Sequence, residues 1–320
     1  MTSLSDNAVA RLRALVEQVP DTARYGIGAL IGEGGMGRVY AAYDRELERE
    51  VALKVLRPDA PNDGERERIR REARILASLE HPGIVPVHDV GVLPDGRLFY
   101  VMKHVRGERF DEFARAQRSR SELLRAFVQV CDAVAFAHSA GVIHRDLKPQ
   151  NVMLGAFGEV LVLDWGVARA QRASREVPGT ALAVTAAGTP GYMAPEQMDG
   201  VADERVDIHG LGGILFFVLT RRHPPVTGET ATHWSVAERV AAPLRAICER
   251  ARATDPTARY QSVVEMAADV LNYLDALPVA AHTEGLIERV RRVAIRHRTA
   301  ILLVLAYLIV RIALLVFVRG

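Results

Sequence analysis

The chain has 320 residues, of which 41 are basic and 39 acidic, and a formal net charge of +2. This length accommodates one domain with a sizeable core and short appendages, and the near-balance of interleaved charges argues against a dedicated nucleic-acid-binding surface. The only cysteines, Cys131 and Cys248, are far apart in the sequence, which favours buried, reduced thiols of a cytosolic compartment over a disulfide framework.

Residues 1–24 are predicted to be an N-terminal extension without the basic-then-apolar pattern of a secretory signal. Apolar residues lie at helical spacing within it, namely Leu12, Leu15, Val16 and Val19. The predicted amphipathic helix would either pack on the following domain or bind a partner, and the sequence leaves both open.

A glycine-rich stretch follows the start of the first predicted strand near Tyr25. Residues 31–39 read IGEGGMGRV, a G-x-G-x-x-G-x-V pattern. Glycines at such positions let backbone N–H groups approach phosphates closely. Taken alone, a glycine cluster between two apolar strands is more typical of an ordinary hairpin turn.

A lysine and a glutamate come next. Lys54 ends the strand-like run Val51-Ala52-Leu53, and Glu72 lies in residues 65–79, where apolar residues recur at helical spacing. The Glu72 carboxylate would orient the Lys54 ammonium. The alternative is that Glu72 is one more solvated charge of a highly charged helix.

Residues 144–151, HRDLKPQN, carry the most specific chemistry of the chain. Phosphoryl transfer requires positioned groups that neutralise charge and take up the proton of the attacking hydroxyl. Asp146 would accept that proton, Lys148 would lie against the transferred phosphate, and the Asn151 amide oxygen would bind Mg²⁺.

Three further stretches complete the pattern. A short apolar strand delivers Asp164 within the DWG of residues 164–166, residues 188–196 read GTPGYMAPE, and residues 255–259 read DPTAR. In this order, the stretches resemble those of the eukaryotic-type (Hanks-type) serine/threonine protein kinases of bacteria, with H-R-D-L-x-x-x-N as the catalytic loop.

The resemblance implies an α+β fold with two lobes over residues 25–275. The N-lobe, about 25–105, would be a five-stranded antiparallel sheet with the αC helix at residues 65–79. The C-lobe, about 106–275, would be mainly helical, with the nucleotide between the lobes.

The resemblance also implies the roles of individual residues, with ATP as phosphate donor and Mg²⁺ as cofactor. Asp146 and Lys148 would be catalytic, and Asn151 and Asp164 would bind the metal. The nucleotide would be bound by Ile31, Gly32, Gly34, Gly37, Val39, Lys54, Glu72, Lys103 and Val105. Structural roles would fall to Thr189, to Glu196 paired with Arg259, and to Asp207 as the anchor of the catalytic-loop backbone.

Acceptor and regulation follow from the same resemblance. Lys148 and Thr189 are typical of kinases that phosphorylate serine or threonine. Arg145 would receive a phosphate placed on Thr180 or Thr185 by autophosphorylation. Trp165, where the family usually has phenylalanine, would need a larger pocket and a partner for its indole N–H.

The C-terminal part differs in character. Residues 276–298 form a basic segment, and residues 300–318 are apolar apart from Tyr307 and Arg311. This run is long enough for a transmembrane helix, which is predicted over residues 299–318. The arginines before it would keep the kinase domain cytoplasmic. An interfacial or docked helix is the alternative, and Arg311 would either snorkel to the headgroups or pair two protomers in a homodimer.

Three functions compete. The leading hypothesis is a membrane-tethered kinase that signals by phosphorylating protein substrates with serine or threonine acceptors. A nucleotide-binding pseudokinase scaffold is the rival, but pseudokinases commonly lack one of the residues that this chain retains as Lys54, Asp146 and Asp164. A small-molecule phosphotransferase is disfavoured by the protein-kinase stretch at residues 188–196.

Overall fold

The computed structural model describes residues 21–34, 37–56, 74, 77–116, 118–165, 169–170, 189–198, 203–226, 234, 240–285, 288–290 and 298–319. Glu72, Thr180 and Thr185 lie outside these residues, as does most of the predicted N-terminal extension. So do most of residues 65–79, over which the αC helix is predicted.

The first part of the domain is a five-stranded antiparallel sheet. Its strands are β1 (Tyr25–Gly34), β2 (Gly37–Asp44), β3 (Arg49–Leu56), β4 (Val87–Val92) and β5 (Leu98–Lys103). Their order across the sheet is β1-β2-β3-β5-β4, so β3 is central. Val51 to Val55 are all buried in β3, as expected of a strand covered on both faces. The predicted five-stranded sheet is confirmed.

The second part is mainly helical, as predicted. The described helices are α1 (Phe110–Arg115), α2 (Arg120–Ser139), α3 (Pro195–Met198), α4 (Arg205–Thr220), α5 (Ala242–Ala251) and α6 (Val263–Leu274). Ser119 caps α2 and Ser262 caps α6, because each hydroxyl accepts a hydrogen bond from a backbone N–H of the first turn.

Helix α4 lies at the centre of this part. Every residue from Val206 to Leu219 is buried, so the helix is surrounded by protein on all sides. Leu211, Ile214 and Leu215 join residues of α2, α5 and α6 in one hydrophobic cluster. A buried helix of this kind gives the loops around it a rigid support.

Short strands and turns carry the residues of the predicted catalytic loop. Strands β6 (Gly107–Arg109), β8 (Val152–Gly155) and β9 (Val160–Val162) form a small antiparallel sheet. Strands β7 (Val142–Ile143) and β10 (Arg169–Ala170) form a second one. The 3-10 turn Pro149–Asn151 precedes β8, so residues 144–151 lie between β7 and β8.

The folded domain continues past residue 275, where the sequence was expected to pass into a basic segment. Val279 is buried, and Asp269 of α6 accepts hydrogen bonds from the backbone N–H groups of Ala280 (2.7 Å) and Ala281 (3.0 Å). These contacts hold the residues after α6 against the domain.

Helix α7 (Arg298–Arg319) carries apolar side chains that are exposed where they are described, among them Leu303, Ile309 and Val310. Over the part of the chain that the structure describes, no helix combines the length and apolar character needed to cross a membrane.

Candidate active site

The glycine-rich stretch forms the hairpin between β1 and β2, with Gly34 opposite Gly37. A side chain at Gly37 would overlap the Val55 carbonyl oxygen, so packing explains this glycine. A Cβ at Gly34 would meet nothing within 4 Å among the described residues, and one at Gly32 would meet only Val39, at 3.7 Å. The open space at Gly32 and Gly34 fits the approach of a ligand to the backbone.

Lys54 lies in β3, the central strand of the five-stranded sheet. Its side chain is 4 % exposed, and its ammonium forms an ion pair with the Asp164 carboxylate. The ammonium also lies 5.7 Å from the centre of the Tyr100 ring. Burial opposes its charge, but Tyr100 and Asp164 raise the pKa of Lys54 above its ordinary value. Lys54 is therefore a fixed cation at neutral pH.

Asp146 receives donors on both carboxylate oxygens. Lys148 Nζ (2.8 Å) and Asn151 Nδ2 (3.2 Å) donate to Oδ2, and the Thr189 hydroxyl donates to Oδ1 (3.2 Å). Lys148 Nζ also donates to the Thr189 hydroxyl at 2.8 Å. Residues 43 positions apart in the chain, Asp146 and Thr189, thus meet in one cluster with a single carboxylate at its centre.

The backbone before Asp146 is held by a buried carboxylate from α4. Asp207 accepts hydrogen bonds from the N–H groups of His144 (2.8 Å) and Arg145 (2.7 Å) and from His138 Nε2 (2.8 Å). Burial alone would raise the pKa of Asp207, but these donors, His138 foremost, hold it below its ordinary value. Arg145 has a φ of 71°, a left-handed conformation that few non-glycine residues adopt without such support.

The β8–β9 hairpin brings Asn151 and Asp164 together. Val152 lies opposite Val162, and just beyond the ladder the Leu163 N–H donates to the Asn151 carbonyl at 2.8 Å. The amide nitrogen of Asn151 donates a hydrogen bond to the Asp146 carbonyl (2.8 Å), so the amide oxygen faces away from Asp146. An amide oxygen next to a carboxylate is a donor set that fits Mg²⁺.

Asp164 is ionised and conformationally constrained. Burial opposes its charge, but the Lys54 ammonium lowers its pKa below the ordinary value. Its φ of 57° is again left-handed, and such backbone strain concentrates at functional sites.

Trp165 lies in a pocket that covers its large ring, and its indole N–H has a hydrogen-bond partner. The indole N–H donates to the Val162 carbonyl at 3.1 Å, and the ring is 3 % exposed. Its centre lies 4.6 Å from that of the His144 ring. His144 Nε2 in turn bonds the Leu163 carbonyl at 2.9 Å, so the aromatic pair ties the catalytic loop to the Asp164 strand.

The residues that would contact adenine follow β5. The Lys103 N–H donates to the Pro86 carbonyl (3.1 Å), and its ammonium lies 3.7 Å from Glu159. Val105 is half-buried against the main hydrophobic cluster. The Lys103 N–H is therefore already bonded within the domain and is not available to a nucleotide.

Glu196 and Arg259 form a bidentate ion pair, with distances of 2.6 Å and 2.8 Å. The Arg259 side chain is fully buried, and its remaining donors bond the carbonyl oxygens of Ala253, Arg205 and Thr254. A buried guanidinium with every direction satisfied fixes the end of the 188–196 stretch on the helical core.

The family model for the protein kinase domain matches residues 25–283. The chain belongs to the protein kinase family. The expected resemblance to bacterial serine/threonine kinases is confirmed as well.

Two curated relatives show the extent of this similarity. Serine/threonine-protein kinase PknD of Chlamydia abortus is 36% identical over 304 residues, which cover 81% of this chain and 32% of the relative. Serine/threonine-protein kinase PknB of Mycobacterium tuberculosis is 38% identical over 282 residues, which cover 81% of this chain and 44% of the relative. The chain thus spans less than half the length of either one.

A solved structure is similar over almost its whole length. The PknI kinase domain of Mycobacterium tuberculosis matches with a TM-score of 0.64 and 30% identity, over 80% of this chain and 98% of that domain. The two-lobed α+β fold predicted from the sequence is therefore confirmed.

Some residues of this kinase site were not predicted from sequence. Tyr100 flanks Lys54, His138 bonds Asp207, and Gln197 donates to the Arg145 carbonyl at 2.9 Å. Tyr100 alternates with buried residues of β5 and could have been placed beside Lys54 from strand pairing. His138 and Gln197 act on residues about 50 to 70 positions away in the chain, and no local pattern indicates such partners.

Proposed function

We propose that the protein is an active serine/threonine kinase that transfers the γ-phosphate of ATP to protein hydroxyls. The observation that carries the proposal is the cluster of Lys148, Thr189 and Asn151 around the Asp146 carboxylate. Next to it stand the ionised Lys54 and Asp164. A base, cations and metal-binding oxygens around one cleft are the groups that phosphoryl transfer needs.

In the proposed reaction, the acceptor hydroxyl oxygen bonds to the γ-phosphorus as the bond to the bridging β,γ oxygen breaks, which releases ADP. Asp146 takes the hydroxyl proton, and Lys148 stabilises the charge on the transferred group. Lys54 is positioned for the α- and β-phosphates. Asn151 and Asp164 would hold Mg²⁺, which, when bound, neutralises phosphate charge.

Thr189 supports serine or threonine as the acceptor. Its hydroxyl bridges Lys148 and Asp146, so the segment that faces the substrate is tied to the base. In the kinases that this chain resembles, lysine and threonine at these positions go with serine/threonine acceptors. The pseudokinase alternative is disfavoured, because all four residues are retained, with Lys54 paired to Asp164 and Asn151 bonded to Asp146.

The proposal is tested by phosphate transfer with labelled ATP, Mg²⁺ and a basic protein acceptor. D146N should reduce kcat by roughly 10²- to 10⁴-fold, because it removes the proton acceptor but keeps the shape of the side chain. D132N, at an exposed site on α2, is the control and should match the wild type. Wild-type protein that labels neither itself nor the acceptor would overturn the proposal.

We propose also that the kinase autophosphorylates at Thr180 or Thr185. The proposal rests on Arg145, a cation beside the catalytic base that would bind a phosphate on the activation segment. Phosphopeptides of the expressed wild type should include one of these threonines, and those of D146N should not. Identical phosphopeptides in both proteins would show that another kinase modifies the chain.

We propose further that α7 attaches the kinase to the cytoplasmic face of a membrane. Its described apolar side chains are exposed, for example Leu303 (71%) and Ile309 (66%), and such a surface is stable where lipid covers it. The five arginines of residues 289–298 favour anionic headgroups on the cytoplasmic side.

Cell fractionation tests this attachment. The full chain should sediment with membranes, and a chain ending at residue 297 should not, because it lacks the apolar helix. If the sedimented protein stays in the membrane fraction after an alkaline carbonate wash, α7 spans the bilayer. If the wash extracts the protein, α7 lies at the membrane surface. Equal distribution of the two proteins would contradict the proposal.

A further inference from the structure

Two loops pack against each other beside helix α4. Gly191, in the stretch that carries Thr189, has a φ of 85°, and a Cβ there would overlap the Pro224 carbonyl oxygen. The Tyr192 hydroxyl lies 2.9 Å from His223 Nδ1. Residues 189–193 and the turn 223–225 are therefore packed directly against each other.

One arginine bridges both loops. Arg252 follows the last turn of α5, and its Nη1 donates to the Gly191 carbonyl at 2.9 Å. Its Nη2 donates to the Pro225 carbonyl at 3.2 Å. The planar fork of a single guanidinium thus holds backbone atoms that are 34 residues apart in the chain. We call Arg252, Gly191 and Pro225 the loop clamp.

Helix α4 makes room for this side chain. A Cβ at Gly212 would lie 2.7 Å from Arg252 Cγ, and a Cβ at Gly213 would lie 3.3 Å from Arg252 Nη1 and 2.8 Å from Tyr192 Cδ1. Glycine in the interior of a helix destabilises it by roughly 1 kcal/mol relative to alanine. Two successive glycines at the point where Arg252 crosses α4 therefore fit the clamp.

Burial of the Arg252 guanidinium carries a desolvation penalty. Burial lowers the pKa of Arg252 below its ordinary value, and both hydrogen bonds described for the group go to carbonyl oxygens. An apolar side chain would fill the same space without the desolvation cost of a buried cation. What an apolar side chain cannot do is bond the two loops.

We propose that Arg252 is a positioning residue for the acceptor substrate, acting through Gly191 on Thr189 and hence on Asp146. This inference rests on the proposed kinase function. Tyr192 N–H and Met193 N–H both donate to the Thr189 carbonyl, at 3.0 Å and 3.2 Å, so residues 189–193 form a tight hydrogen-bonded turn. The loop clamp fixes that turn, and the turn places the Thr189 hydroxyl against Asp146 and Lys148.

Loss of the loop clamp should impair the reaction with the acceptor substrate and should not change nucleotide binding. Lys54 is positioned by β3, and Asn151 and Asp164 are positioned by the β8–β9 hairpin. None of these supports passes through Gly191. A small displacement of positioned groups can reduce a rate by about 10²-fold.

The test compares three full-length variants by steady-state kinetics with a peptide acceptor and ATP. R252M should reduce kcat/KM for the peptide by about ten- to a hundredfold and leave KM for ATP within about twofold. R252K keeps one donor group and should fall between R252M and the wild type. R250M is the control, because Arg250 stands on the same helix with its guanidinium over the Tyr260 ring.

Amide hydrogen exchange gives a readout that does not depend on activity. In R252M the amides of Tyr192 and Met193 should exchange at least about tenfold faster than in R250M. If R252M proves unstable, the same comparison with R252K decides the matter. Unchanged exchange at these amides, or an R252M enzyme with wild-type kcat/KM for the peptide, would overturn the inference. Faster exchange in a protein without kinase activity would support the clamp and contradict the proposed function instead.

Discussion

His209 is a completely buried histidine of α4, with Nδ1 3.3 Å from the Tyr192 carbonyl. Burial, together with the guanidinium groups of Arg252 and Arg259, lowers the pKa of His209 to about 3. The folded protein therefore keeps this imidazole neutral at pH values at which an unfolded chain, with an ordinary value of 6.5, binds a proton.

This difference predicts acid sensitivity. As the pH falls from 6.5 towards 3, protonation of His209 stabilises only the unfolded chain, and at pH 4.5 it should reduce the free energy of unfolding by roughly 2 to 3 kcal/mol. H209F removes the titrating group, so its free energy of unfolding should fall less steeply over this range. Denaturant titrations at several pH values measure both curves. Above pH 7 the curves should run parallel, and equal slopes below pH 6 would contradict the prediction.

Single residues also show which parts of the candidate site can be predicted from the sequence and which cannot. Three lysines occur among 41 basic residues, and the ammonium groups of Lys54 and Lys148 contact the carboxylates of Asp164 and Asp146, respectively. They were predictable because each belongs to a short motif whose local geometry is nearly self-contained. Arg252 was not, because the carbonyl groups that it bonds come from distant turns and involve no side-chain type that a motif would record.

At the scale of elements, a continuous apolar run identifies a buried segment, whereas a very short strand leaves no such pattern. The strand around Val51 was predicted from its apolar run, and helix α4 contains a run of the same kind. Strands β7 and β10 have two residues each and exist only because they pair with each other. The hydrogen bond of the Trp165 indole N–H is local, because the carbonyl that accepts it belongs to the strand just before Trp165.

Boundaries between elements depend on tertiary contacts as well. The expected domain end at residue 275 follows the last helical residues of α6, where the apolar period stops. The structure places further contacts beyond it, because the Asp269 carboxylate bonds two backbone N–H groups and the Tyr260 hydroxyl (2.7 Å). Acceptors for backbone groups cannot be assigned from hydrophobic period alone.

For the whole molecule, these contacts set how far the folded domain extends beyond α6. Asp269 is 2% exposed, and Val279 is 4% exposed beside it. The segment is therefore held against the domain up to at least residue 281, beyond the end of α6. The Asp269 carboxylate, together with the N–H groups of Ala280 and Ala281 that donate to it, is thus the anchor of this segment.

Substitution at the anchor gives the corresponding prediction. D269N keeps the size of the side chain but replaces an acceptor oxygen by a donor, so one buried N–H or O–H is left opposite another donor. The free energy of unfolding should fall by roughly 2 to 3 kcal/mol, as for a lost hydrogen bond to a charged group. D275N, at an exposed position just after α6, should stay within about 0.5 kcal/mol of the wild type. Denaturant unfolding measures both, and limited proteolysis should cut residues 276–285 faster in D269N alone. Equal stability and equal cleavage of the two variants would mean that Asp269 does not hold the segment, and that the domain ends where the apolar period of α6 does.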